Sequence, residues 1–102
     1  HPYMNYLDVD VITIDSMNLP RLDFIKLDIE GYECAALLGA RTTIEQHRPW
    51  VWAEYFISGA ENIKACFDGI NDYKFFIVDE QNMVCAPKEK FARVQTANLT
   101  EV

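Results

Sequence analysis

The chain has 102 residues, half of them apolar and 13% aromatic, which leaves room for one hydrophobic core and argues against intrinsic disorder. Sixteen acidic and nine basic residues give a formal net charge of -7. That charge would repel a phosphate backbone and an anionic lipid surface, and no apolar run reaches the length of a membrane span, so we expect neither nucleic acid nor membrane as a partner.

The first part of the chain predicts two strands and a helix. Residues 9–14 alternate in polarity and are rich in Val and Ile, which favours a strand. Residues 24–29 are apolar except for Lys26 and Asp28, a pattern typical of a strand buried on both faces of a parallel sheet. A helix is predicted from about Tyr32 to Gly39, where the glycine is placed for a left-handed cap.

The middle of the chain continues this alternation. A short helix is predicted to restart at the capping-box spacing of residues 42–45 and to stop before Pro49. Residues 50–56 are nearly all apolar and predict a strand in the centre of the sheet. A second capping box at 58–61 precedes the clearest amphipathic helix, whose apolar stripe consists of Ile63, Cys66, Phe67 and Ile70.

The last part of the chain predicts a β-hairpin. Residues 73–78 favour a strand, 79–82 a turn, and 83–86 a returning strand whose pairing ends at Pro87. Residues 88–102 are polar and only weakly patterned. The order of elements predicts an α/β fold with right-handed crossovers, in which mostly parallel strands are joined by one antiparallel C-terminal hairpin strand.

The most informative stretch is residues 25–33, IKLDIEGYE, where an apolar strand gives way to acids and a glycine. Asp28 and Glu30 end this strand, and Glu54 ends the strand predicted to lie beside it. The tips of neighbouring parallel strands meet at one edge of a sheet, so we expect the three acids to converge on one crevice. Like charges gathered there would raise at least one pKa, which favours a general base, or would attract a cation.

The run at 25–33 resembles the signature of the FkbM-like methyltransferases, S-adenosylmethionine-dependent O-methyltransferases with a Rossmann-like domain. The resemblance covers roughly residues 9–86 and includes VITIDSM at 11–17, LLGA at 37–40 and RPWVWAE at 48–54. It implies methyl transfer to a hydroxyl of a small acceptor such as a sugar or polyketide.

The resemblance also implies roles for five residues. Asp28, Glu30 and Glu54 would be the catalytic acids, removing the acceptor proton or orienting the hydroxyl. Asp15 and Ser16 would contact the adenine of S-adenosylmethionine. Two of these residues have equally good structural explanations, since Glu30 fits a helix start and Asp15 fits the cap of a turn. No dedicated metal site is predicted.

One part of the family pattern is missing. Families of this fold hold the donor with a glycine-rich turn after the first strand and an acid at the end of the second. The four glycines here are scattered, and no Gly-x-Gly follows an apolar strand. We therefore interpret residues 1–102 as one partial domain, the C-terminal half of a class I methyltransferase-like sheet without its glycine-rich donor-binding half.

Two functions remain open for such a chain. It is either part of an O-methyltransferase that is inactive alone, or a stand-alone half domain acting as a non-catalytic binding or assembly module. An unpaired apolar strand edge is a template for association, so we expect a homo-oligomer through residues 9–29, or pairing with the missing N-terminal half. Three cysteines in apolar stretches, Cys34, Cys66 and Cys85, favour buried thiols and a cytoplasmic location over disulfides or zinc.

Overall fold

The computed structural model describes residues 12–91 and 99–102. In these ranges the chain alternates short helices and strands around one sheet. The elements in chain order are a 3₁₀ turn Asp15–Met17, β1 Phe24–Leu27, α1 Glu33–Leu38, α2 Arg41–His47, β2 Trp50–Glu54, α3 Ala60–Ala65, β3 Tyr73–Ile77, β4 Asn82–Pro87, α4 Lys88–Phe91 and β5 Thr100–Glu101.

The five strands form one mixed sheet in the order β1-β2-β4-β3-β5. The α/β class is confirmed, but the prediction of a mostly parallel sheet is wrong. Within residues 12–91 and 99–102, only β1 and β2 pair in parallel, whereas β2–β4, β3–β4 and β3–β5 are antiparallel. The reason is that β4 returns from the hairpin and inserts between β2 and β3, so it separates two strands that run in the same direction. The predicted interior position of β2 is confirmed.

The strand predicted at residues 9–14 is not present in its described part. Residues 9–11 lie outside the described residues, and residues 12–14 are not in a strand. Local hydrogen bonds curl the chain instead: the Ser16 N–H donates to Thr13 Oγ1, and the Ser16 hydroxyl donates to the Thr13 carbonyl. Such side-chain to backbone bonds compete with a sheet ladder.

The left-handed cap predicted at Gly39 is wrong. Gly39 has φ −77°, an ordinary right-handed value. Its N–H donates to the Ala35 carbonyl, and the chain passes through Ala40 directly into α2. The two helices therefore follow one another without the reversal that a left-handed residue would produce.

The capping boxes predicted at 42–45 and 58–61 are also wrong. The residues that precede α2 and α3 are Ala40 and Gly59, and neither makes a side-chain capping hydrogen bond. Helix α2 is capped by an acid from another segment, described below. Ser58 lies in the turn before α3, and its hydroxyl donates to the Glu33 carboxylate instead of capping that helix.

The core lies between helices α1 to α3 and one face of the sheet. Alternate residues of β1 point into it, because Ile25 and Leu27 are buried while Phe24 and Lys26 are exposed. The prediction that this strand is buried on both faces is therefore wrong for the described residues. Helices α1 to α3 contribute Leu37, Ile44 and Ile63 to the core. The predicted stripe is buried except for half-buried Cys66, but α3 ends at Ala65, so Phe67 and Ile70 enter the core from the turns that follow and the predicted helix is too long.

No helix in the described ranges combines the length and apolar character needed to cross a membrane.

Candidate active site

Two acids meet at the ends of β1 and β2. Leu27 pairs with Ala53 in the parallel register, so Asp28 and Glu54 follow at the same level of the sheet. A hydrogen bond between the two carboxyls is the main reason that the pKa of Glu54 lies above its usual value. Partial desolvation and the charges of Asp28, Glu33 and Glu30 raise it further. The structure therefore brings Asp28 and Glu54 together, with Glu30 nearby.

The turn after β1 has an unusual backbone. Glu30 has φ 47° and Gly31 has φ 98°, two consecutive residues in a region that side chains disfavour. A Cβ on Gly31 would lie 3.1 Å from Ile57 Cγ2, so the turn also approaches the loop after β2 closely. Both constraints explain why the acids of this run are followed by glycine.

The turn forms one wall of an open groove of about 630 Å³, lined by Asp28, Ile29, Glu30 and Tyr32. Glu30 faces this groove and does not cap α1, whose N-cap is Tyr32. A second groove of about 290 Å³ shares Ile29 and Tyr32 with the first. Its other walls are mostly apolar and come from Ile12, Thr13, Ile14, Ala35, Ala36 and Gly39.

A fourth acid, Glu33, is bonded to the segments that follow both strands, and its role was not predicted. Its side chain is only 1% exposed. Oε2 accepts the Ile29 N–H at 2.9 Å, while Oε1 accepts the Gly31 N–H at 2.9 Å and the Ser58 hydroxyl at 2.7 Å. Burial alone would raise the pKa of Glu33, but the hydrogen bonds from Ser58 and the backbone outweigh burial and lower the pKa.

Asp15 lies at the N-terminus of α2. Its Oδ1 accepts the Thr43 N–H at 2.8 Å and the Thr43 hydroxyl at 2.7 Å, and its Oδ2 accepts the Thr42 N–H at 3.2 Å. Desolvation opposes ionisation, but these bonds outweigh it and lower the pKa of Asp15. The geometry gives Asp15 a capping role, and the Ser16 hydroxyl is bonded to Thr13 at 2.7 Å. Their predicted contact with adenine stays a prediction.

Exposed apolar side chains surround the acids. Tyr32 is 71% exposed on the turn after β1, and Phe56 and Ile57 are similarly exposed on the loop after β2. Across the described ranges 12–91 and 99–102, no group of three or more His, Cys, Asp and Glu side chains is arranged to hold a metal ion. The arrangement is suited to binding a neutral hydroxyl compound and to moving one proton.

The chain matches one family model, described as methyltransferase FkbM domain, over residues 2–91. No curated protein and no solved structure matches it at a significant level. The matched range includes both strand tips and the turn between β1 and α1.

Proposed function

Because the chain belongs to the methyltransferase FkbM family, we propose that its strand-tip acids form the acceptor side of an S-adenosylmethionine-dependent O-methyltransferase. The observation that carries this proposal is the register of the parallel strands, which pairs Leu27 with Ala53 and so places Asp28 and Glu54 side by side at the two strand tips. A hydroxyl of a sugar or another small metabolite would bind in the groove beside them.

The paired acids divide the work at the acceptor hydroxyl. Asp28 accepts a hydrogen bond from the hydroxyl and fixes its direction, which lowers the entropy cost of reaction. Glu54 takes the proton, because a carboxylate with a raised pKa is a stronger base near neutral pH. Glu30 adds negative charge to the groove. The donor, when bound, supplies the electrophilic methyl group.

The residues of this chain fit the adenine portion of S-adenosylmethionine but not its methionine portion. The mostly apolar groove beside Ile29 and Tyr32 is suited to a flat aromatic ring such as adenine. The sequence contains no glycine-rich turn to hold the methionine portion. We therefore propose that this chain alone binds the donor weakly or not at all, and that it is inactive without a second half.

Calorimetric titration with S-adenosylhomocysteine tests the donor side. We expect no saturable binding, or binding far weaker than micromolar. A dissociation constant on the order of micromolar would contradict the proposal and reveal a complete donor site.

Turnover in a longer family enzyme carrying the same motif tests the acids. Asp→Asn at the position matching Asp28 should strongly lower kcat while the melting temperature stays close to that of the parent. A variant that melts much earlier but keeps its activity per folded molecule would identify a structural acid instead.

A second candidate function is a non-catalytic binding or assembly module. It is supported by β1, which pairs only with β2 among the described residues and exposes Phe24 on its open face. Under this function, replacing Asp28 or Glu54 would leave the chain's association unchanged. A cytoplasmic location is also proposed, and it rests on the three free thiols Cys34, Cys66 and Cys85.

A further inference from the structure

Glu33 connects two segments that the sheet alone does not hold together. The turn after β1 provides the Ile29 and Gly31 N–H groups, and the loop after β2 provides the Ser58 hydroxyl. All three donors bond the same carboxylate, which is almost completely buried. One side chain therefore joins the two segments that follow β1 and β2.

Each bonded segment leads directly to one of the paired acids. The Ile29 N–H belongs to the peptide that follows Asp28, so its hydrogen bond fixes the orientation of that peptide. Ser58 lies in the loop that continues from Glu54, and the Gly59 N–H closes this loop on the Tyr55 carbonyl at 2.7 Å.

The chemistry of Glu33 supports a role in geometry. Burying an ionised carboxylate is unfavourable unless hydrogen-bond donors replace its water, and the three donors here do so. The two backbone bonds bracket Glu30 and Gly31, which both have positive φ, so they span the part of the turn whose backbone is strained.

We propose that Glu33 is a positioning residue, which together with Ser58 fixes the separation and orientation of Asp28 and Glu54. The inference rests on the proposed function, in which these two acids act together on the acceptor hydroxyl. Glu33 itself does not line either groove.

The test measures the pKa of Glu54 by ¹³C NMR of its side-chain carboxyl in the intact chain. Ser58→Ala removes one donor to Glu33 without changing any charge. We expect the pKa of Glu54 to fall toward about 4.3, the ordinary value of a glutamate, because Asp28 and Glu54 are no longer held together. Glu33→Gln should lower it further, since the charge of Glu33 also raises the pKa of Glu54.

Tyr73→Phe is the matched control. It also removes one hydroxyl hydrogen bond, from Tyr73 to the Pro49 carbonyl at 2.6 Å, but at the opposite end of β2. We expect it to lower the melting temperature without moving the pKa of Glu54. Comparing the two variants distinguishes a change in the position of the acids, which moves the pKa of Glu54, from a general loss of stability, which lowers only the melting temperature.

The proposal is overturned if folded Ser58→Ala titrates Glu54 at the wild-type pKa, or if Tyr73→Phe shifts that pKa equally. If Glu33→Gln does not fold, Ser58→Ala alone decides. The readout does not depend on turnover, so a failed positioning role can be told apart from a failed methyltransferase function.

Discussion

Arg48 and Glu89 form a two-point ion pair, with Nε 3.0 Å from Oε2 and Nη2 2.9 Å from Oε1. The same guanidinium donates to the carbonyls of Asn71 and Asp72 and lies over the Tyr73 ring at 4.9 Å. It therefore joins the end of α2 to the loop before β3 and to α4, at the end of the sheet opposite the acid pair.

Arg48→Lys should lower the free energy of unfolding by about 1–3 kcal/mol. Lysine keeps the charge but cannot reproduce the planar fork that reaches a carboxylate and two carbonyls at once. Urea unfolding measures the effect. Arg21→Lys is the control, because its ion pair with Asp23 is far more exposed and should contribute little. If both variants lower the free energy of unfolding equally, the planar guanidinium of Arg48 is not what stabilises the fold.

The contribution of Glu89 should disappear in acid. Its hydrogen bond with Arg48 lowers the pKa of Glu89 to about 2, below the value of an unfolded glutamate. A depressed folded pKa stabilises the fold above the unfolded pKa, and this stabilisation is lost as the pH falls toward 2. The difference in urea midpoint between wild type and Glu89→Gln should therefore shrink between pH 5 and pH 2. A difference that stays constant would show that the ion pair does not stabilise the fold.

Glu54→Gln should stabilise the fold at neutral pH, whereas Glu89→Gln should destabilise it. The folded pKa of Glu54 is raised, so ionising it opposes folding, and the penalty appears as the pH rises through that pKa. We expect the variant to melt at a higher temperature than wild type at pH 7 and at nearly the same temperature at pH 3. Glu61→Gln, on the exposed surface of α3, is the control. If Glu54→Gln instead melts at a lower temperature than wild type at pH 7, the ionised Glu54 side chain stabilises the fold and the prediction is wrong.

Gly31→Ala should destabilise the fold by about 1–2 kcal/mol through backbone strain, with a further loss from contact with Ile57. Gly59→Ala is a close control, because Gly59 also has positive φ but its Cβ would meet nothing nearer than 3.4 Å. Chemical denaturation should therefore show a larger loss at Gly31. Adding Ile57→Ala to Gly31→Ala should make the loss of stability from the glycine substitution as small as that of Gly59→Ala. If Gly31→Ala still costs more in that background, contact with Ile57 is not the cause.

Self-association through residues 9–29 stays a prediction, and the described part of that range can be tested. Phe24 is 52% exposed on β1, whose second edge has no partner strand in ranges 12–91 and 99–102. Phe24→Lys should shift the chain toward monomer in light scattering, because a charge on an edge strand opposes pairing. Phe56→Lys, at a similarly exposed position outside this range, should not. A monomeric wild-type chain at high concentration would contradict the prediction.

The sequence was sufficient to predict the β1 and β2 tips. Both strands are short apolar runs followed by acids, and an intervening helix makes a parallel pair the expected arrangement, so the approach of Asp28 to Glu54 could be inferred. The family was recognised from the same residues. The position of β4 could not be inferred, because a hairpin strand can join a sheet at its edge or between two strands with the same local pattern.

The roles of Glu33 and Asp15 depend on partners far along the chain. Glu33 is the third acid of its run, but its role depends on Ser58, which lies 25 residues further along the chain. Asp15 caps α2 by accepting the N–H groups of Thr42 and Thr43, so the capping residue lies outside the local sequence of that helix. The spacing of residues in the sequence can reveal a helix cap when the capping residue adjoins its helix. It carries no information about a cap supplied by a distant segment.

The interior position of β4 has a consequence for the order of folding. The β3–β4 hairpin closes through a turn of a few residues, whereas the β2–β4 ladder joins Glu54 to Asn82 and Val51 to Cys85. Closing the longer loop costs more chain entropy, so the hairpin should form first and dock onto β2 as a unit. We expect amide hydrogens of the β2–β4 ladder to gain protection late in refolding, because docking must join that ladder and complete the core in one step.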